Sequence, residues 1–244
     1  MPVPPPIDFA KKFGFEPSPE SVKRLAEMIA KRGANLESFA RIAAQDPELT
    51  AHLLRVANPG TARKEDYVTT TAEGAIRRVG MSYALVLAMC DPLTHAVSVA
   101  FHTMLSIELK ALPPREVVPF TGEHIIGEVS FSGKTTGMVD LRLPCTAAIL
   151  FGERMLGLTP AEMADPKIAN DVLGEMCNMV VGNFKSNLCD AGLDCKLSSP
   201  KISRTKEFKL QCIKGGSSER FAFRAHELEL FADLSVNPWG DEWQ

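Results

Sequence analysis

Asp171-Val-Leu-Gly-Glu175-Met-Cys-Asn178 is the stretch on which the reading of this chain turns. It predicts the opening of a helix that runs to about Leu188. At 3.6 residues per turn, Asp171, Glu175, Asn178 and Gly182 fall within an arc of roughly 60°. The opposite side collects Leu173, Met176, Cys177, Val180, Phe184 and Leu188, an apolar stripe broad enough to lie on a sheet. A solvated face is the ordinary reading of the polar side, but three details oppose it. No cation appears there until Lys185. Asn is a poor mid-helix residue, because its side chain competes for backbone hydrogen bonds. Gly182 leaves a bare patch beside Asn178, where another backbone can approach. The face reads as one built to be docked against.

On either side of this helix the hydrophobic period changes to 2. Upstream, Ile125-Ile126-Gly-Glu-Val129-Ser-Phe131 and Gly137-Met138-Val139-Asp-Leu141-Arg-Leu143 read as paired strands joined through Ser132–Thr135. Pro144 then begins a helix carrying Ala147, Ala148, Leu150, Phe151 and Met155, and Ala164-Asp165-Pro166 leads into the central helix. Downstream, strands are expected at Lys196–Ile202 and Phe208–Ile213, then a Gly215-Gly216 turn, then one strand over Phe221–Phe231. Asn237-Pro-Trp239-Gly opens a loose tail, 237–244.

The first third of the chain has helical period throughout. Residues 1–17 hold five prolines and read as an arm ordered only when something receives it. Ser18-Pro-Glu-Ser21 starts a helix with Val22, Leu25, Met28 and Ile29 inside, ended by Gly33. A second carries Leu36, Phe39, Ile42 and Ala43. Asp46 caps a third, with Pro47 at its first position, and Thr70 or Thr71 caps a fourth over Ala72–Val79. Met81–Met89 resumes an apolar helix. Asp91-Pro92 breaks the run and marks a boundary, so the helical module spans 18–91. A helix from Leu93 to about Leu109, stopped by Pro113-Pro114, opens a second domain over 92–236. The fold class is α+β: an all-helical module, then a sandwich of helices on an antiparallel-rich sheet.

Composition narrows the function. The net charge of −3 gives no reason to expect nucleic acid or an anionic membrane. Residues 1–95 hold 12 Lys/Arg against 11 Asp/Glu, with no basic stripe for a DNA-reading helix-turn-helix. No apolar run approaches the ~20 residues that span a bilayer, and no signal peptide is legible. A cytoplasmic protein is expected. The six cysteines form no Cys-x-x-Cys and no Cys/His cluster, so reduced thiols are expected and no metal site. Gly133-Lys134-Thr135 mimics the end of a P-loop, but Gly127 lies one residue too far upstream and the context is a hairpin. A metal on Asp171 and Glu175 would want a His where Asn178 stands. No nucleophile elbow accompanies the five histidines.

Two resemblances follow from particular residues. Ile42-Ala-Ala-Gln-Asp46-Pro47-Glu-Leu49-Thr-Ala-His-Leu53-Leu54-Arg-Val-Ala-Asn58, with Ala75-Ile76 and Val79-Gly80, resembles the first part of an HDOD domain, a non-catalytic signalling module. No His-Asp doublet occurs in the chain. Residues 92–234 resemble the CheX/CheC family of chemotaxis phosphatases, CheX more than CheC. The resemblance rests on Gly127-Glu-Val-Ser-Phe131-Ser-Gly133, on Ala148–Gly157, and above all on Asp171-x3-Glu175-x2-Asn178-x21-Pro200, followed within the helix by Gly182-Asn183. One such motif is present, as in CheX.

The resemblance implies a phosphatase acting on the aspartyl phosphate of a CheY-type response regulator, in chemotaxis or two-component signalling. Asn178 would position the attacking water and Glu175 would pair with the regulator's lysine. Asp171, Gly182, Asn183 and Pro200 would serve binding; for Asp171, helix capping stands beside partner contact, and Pro200 would shape the chain after the helix. No cofactor is expected on this chain, with Mg²⁺ on the regulator. A homodimer through the second domain is also implied. The alternative is a non-catalytic adaptor that binds a regulator or signalling complex through the same face.

Overall fold

The computed structural model describes residues 19–30, 35–58, 68–81, 84, 89–112, 119–133, 136–159, 161–162, 165–190, 193–214, 216–225 and 228–237. The arm, the tail, Ser18, Gly33 and most of Met81–Met89 lie outside them.

Among the described residues, four helices belong to the N-terminal module: α1 (Pro19–Ala30), α2 (Leu36–Ala43), α3 (Pro47–Ala57) and α4 (Ala72–Val79). Short polar side chains start three of them. Asn35 accepts from the Ser38 amide, Asp46 from Leu49 and Thr71 from Gly74, each satisfying an amide the helix cannot. Leu25, Phe39, Ala43, Leu49, Leu53, Ala75 and Ile76 are buried. Asn58 brackets the return of the chain: its Nδ2 donates to Thr69 O at 2.7 Å, and its Oδ1 accepts from Thr69 N at 2.8 Å.

The next helix, α5 (Cys90–Leu105), differs from expectation at both ends. Asp91-Pro92 does not break it but lies in its first turn, where an amide has no intrahelical partner and proline is tolerated. It ends early because Ser106 adopts a left-handed conformation, φ 52°, and the Ser106 and Ile107 amides cap the preceding turn.

Seven antiparallel strands follow: β1 (Lys110–Leu112), β2 (His124–Gly133), β3 (Thr136–Pro144), β4 (Cys195–Leu197), β5 (Lys201–Thr205), β6 (Ser217–Ala225) and β7 (Leu228–Asn237). Their order is β1-β6-β7-β3-β2-β4, with β5 pairing β2 beyond β4. The hairpin read from alternation is present as β2–β3, in register from His124↔Pro144 to Phe131↔Gly137. Helices α6 (Cys145–Leu156) and α7 (Pro166–Asp190) lie on one face, and α5 packs beside α7. No described helix is long and apolar enough to cross a membrane.

Three strand expectations need correction. The run Phe221–Phe231 falls in two strands, paired up to Ala225↔Leu228, a break that no Gly, Pro or Asn in the run signals. Of the Gly215-Gly216 signal, Gly215 lies outside the described residues, and the Gly216 amide donates to Ile213 O. Residues 207–213 alternate like a strand yet form none. Instead they strap the sheet face opposite the helices: Phe208 stacks at 4.9 Å on Phe231 and 5.4 Å on Phe120, and the Ile213 amide donates to Ser235 Oγ. Aromatic packing and side-chain hydrogen bonds replace ladder bonds there.

Beneath that strap lies a buried charge cluster. Asp140 and Asp233 stand opposite each other across β3 and β7. Arg142 donates to both, at 3.1 and 2.7 Å, and Arg220 chelates Asp233 at 2.6 Å. Burial pushes the Asp140 carboxyl up to about 6; Arg142 opposes the rise, while Asp233 and Glu128 add to it.

Candidate functional site

The site helix, α7, is 25 residues long and begins earlier than its motif suggests. Asp165 accepts from the Lys167 amide at 2.9 Å, and Pro166 occupies the first position. Capping thus falls to Asp165. Asp171 lies in the second turn, exposed, and the capping reading of that residue is removed.

The apolar stripe is buried as its period requires: Val172, Leu173, Met176, Cys177, Val180 and Phe184 are each at most 2 % exposed. Helix and sheet meet closely at Gly127 of β2. A Cβ there would stand 2.3 Å from Cys177 Sγ and 3.1 Å from Leu173 Cγ. Only glycine lets the helix settle this low. Burial pushes the Cys177 thiol up, keeping it an inert core group.

The opposite face is open. Asp171, Glu175 and Asn178 are exposed, and Asn178 Nδ2 donates to Glu175 Oε2 at 3.3 Å. The two side chains therefore share one patch. Gly182 is half-buried, yet a Cβ on it would meet nothing within 4 Å. These four residues are brought together as the helical period predicts.

Asn183 and Pro200 stand apart. Asn183 lies on the helix flank, half-buried, with an Nδ2 that has no hydrogen-bond partner. Pro200 sits between β4 and β5. The Ser198 amide donates to Ser130 O, and Ser198 Oγ accepts from the Ser130 amide. Register runs from Phe131↔Leu197 to Glu128↔Lys201, so the edge chain carries one extra residue, a bulge. Proline suits such a position because it has no amide to pair. Beyond it, Ile202 reaches the Gly127 contact and Arg204 Nη2 donates to Pro166 O at 3.3 Å. β5 thus runs antiparallel to α7 along its flank.

Gly174 was passed over in the sequence. It stands one turn before Asn178 as Gly182 stands one turn after, and a Cβ there also meets nothing within 4 Å. The spacing Gly174-x3-Asn178-x3-Gly182 is the signal that was available.

Residues 125–224 match the family model Chemotaxis phosphatase CheX, and residues 16–109 match the HDOD domain. The two matched regions follow one another in the chain, HDOD first and CheX second. Chemotaxis protein CheX from Vibrio vulnificus superposes with a TM-score of 0.52 at 23% identity, over 61% of this chain and 96% of that one. A CheC-like superfamily protein from Shewanella sp. PV-4 gives 0.53 at 22% identity, over 61% and 97%. At such identities the likeness is one of fold. No curated protein matches the chain significantly. The fold match covers about 149 residues (61% of 244), whereas 135 follow residue 109, so it takes in part of the HDOD-type segment. The structural match and the HDOD match therefore overlap in the chain.

Proposed function

We propose that the CheX domain hydrolyses the aspartyl phosphate of a CheY-type response regulator. The observation that carries the reading is the Glu175–Asn178 pair, exposed and hydrogen-bonded to each other. Such hydrolysis needs a water held in line behind phosphorus and little covalent help. An amide suits that task, since it donates and accepts without ionising. Glu175, one turn earlier, pairs with the regulator's lysine and sets the docking register. Asp171, a further turn back, extends the acidic edge of the same contact. The metal ion of the reaction belongs to the regulator, bound with its phosphoryl group. This reading places the protein in the cytoplasm, and a homodimer through the CheX domain belongs to it; a monomer by light scattering would remove the dimer.

The test is the decay of a phosphorylated CheY-type regulator with native protein, Asn178→Ala and Glu175→Ala. Acceleration by the native protein is expected, lost on the order of 100-fold in Asn178→Ala, in the range seen when a group acting in the transition state is removed. Binding should persist in that variant. Unchanged decay with measurable binding would replace the phosphatase by an adaptor, a role the appended HDOD-type segment also suits.

A further inference from the structure

We propose that the sheet edge built by β4, β5 and the strap, residues 196–214, forms the second half of the docking surface. Its occupant is the acidic face of the phosphorylated regulator, beside the phosphoryl group. This rests on the proposed function and names the chemistry of the surface that the partner brings to it.

Positive charge is gathered on this edge. Lys196, Lys201, Arg204, Lys206, Lys209 and Lys214 are all exposed and share residues 196–214 with one carboxylate, Glu207. The segment carries a net +5, which leaves −8 for the rest of a chain that totals −3. Lys209 pairs with Glu207 at 3.0 Å. The other five cations form no ion pair among the described residues. Lysine on an edge strand is an ordinary guard against strand-to-strand association, and that accounts for Lys196 and Lys201. It does not account for Lys206, Lys209 and Lys214, which lie outside every strand. Crowding like charges costs stability through mutual repulsion, a cost that an acidic partner removes.

The edge lies against the site helix. Arg204 Nη2 donates to Pro166 O in the first turn of α7, and Ile202 reaches the Gly127 contact beneath Leu173 and Cys177. On α7 itself the exposed ionisable side chains of the site are acids, Asp171 and Glu175. An acidic strip and a basic strip therefore run side by side, and among the described residues no ion pair joins them. Each is left to a group outside the chain. A surface of two signs is matched by a partner that brings a cation to the first strip and carboxylates to the second, which sets orientation as well as encounter rate. The regulator of the proposed reaction has that pattern from its chemistry: a lysine, and carboxylates that hold Mg²⁺ beside the aspartyl phosphate. With Glu175 on the lysine, the partner's acidic rim lies over β5.

The experiment uses the full-length chain carrying Lys201→Gln, Arg204→Gln and Lys206→Gln together, or Lys206→Glu alone. Lys110→Glu, an equal charge change on exposed β1 at the opposite edge of the sheet, is the control. Tm, binding, KM and kcat are measured with a phosphorylated CheY-type regulator at about 20 and 300 mM NaCl. The triple variant should raise KM about tenfold at low salt and flatten its salt dependence. Lys206→Glu should raise KM about threefold, and Lys110→Glu should leave it unchanged. In all three kcat should stay within about twofold, because Glu175 and Asn178 are untouched. Lys206→Glu lies outside the strands and keeps the test available if the triple variant unfolds. An unchanged KM in Lys206→Glu at low salt, or an equal rise in Lys110→Glu, would overturn the proposal while the phosphatase stands. Binding to anionic vesicles that the triple variant loses, with KM unchanged, would give the edge to a membrane and overturn it too. If the native protein binds the regulator without accelerating decay and the edge variants weaken that binding, the edge stands and the phosphatase falls. Absence of binding by the native protein would sink both.

Discussion

Gly127→Ala tests how the site helix is held. The added Cβ would lie 2.3 Å from Cys177 Sγ, 3.1 Å from Leu173 Cγ and 3.3 Å from Ile202 Cδ1. Ordinary contact begins near 3.5 Å, so the sulfur is too close by at least about 1.2 Å. Cys177 and Leu173 are fully enclosed, at 1 % and 0 % exposure, and neither can swing aside. The overlap is relieved by lifting α7. Overpacking of this kind costs about 1–3 kcal/mol, and removing a strand glycine returns about 0.5–1 kcal/mol of it. A net loss of about 1 kcal/mol corresponds to a fall in Tm of about 2–4 °C for a chain of this size. The second variant is Cys177→Ala, which deletes the clashing sulfur. Urea and thermal unfolding of both single variants and the double variant close a cycle. The double should be more stable than additivity predicts by about 1–2 kcal/mol. Because Glu175 and Asn178 ride on the same helix, phosphatase activity should fall in Gly127→Ala and recover in the double variant. A Gly127→Ala protein with the native midpoint, or a cycle without coupling, would refute the argument.

Asp140 offers a second test, through pH. Its folded-state pKa of about 6 lies above the ordinary 3.8, so the native state binds the proton more tightly than the unfolded chain. Stability contributed by this group is therefore full below pH ~4 and lost as pH rises through ~6, by about 3 kcal/mol in all. Asp140→Asn should remove that slope, and chemical unfolding at pH 4, 5, 6 and 7 would count against it if native and variant ran parallel. In the helical module, Asp46→Ala deletes the cap on the Leu49 amide and should destabilise α3 by about 1–2 kcal/mol. Amide exchange in residues 47–57 should quicken while phosphatase activity is unchanged; loss of activity would contradict the assignment of the site to α7.

The contrast between what was legible in the chain and what was not has one physical origin: range. The face of α7 that carries Asp171, Glu175, Asn178 and Gly182 follows from a period of 3.6 residues, so spacing alone brought them together. The β2–β3 hairpin was readable for the same reason, since alternation and a short turn lie close along the chain. So were Asp46 and Thr71 as caps. The break between β6 and β7 was not, because Phe221–Phe231 carries none of the residues that turns favour. Residues 207–213 alternate as a strand should, yet whether they pair or strap the sheet depends on Phe120, Phe231, Arg220 and Ser235, all distant in sequence. Asp165-Pro166 was legible as the lead into α7, but the signature beginning at Asp171 drew the expected opening of the helix later than Pro166. Gly127 shows the division most sharply. As a letter it is a glycine in a strand; only with α7 folded over it does the missing methyl become the condition for the helix to seat, and with it the exposed pair Glu175 and Asn178.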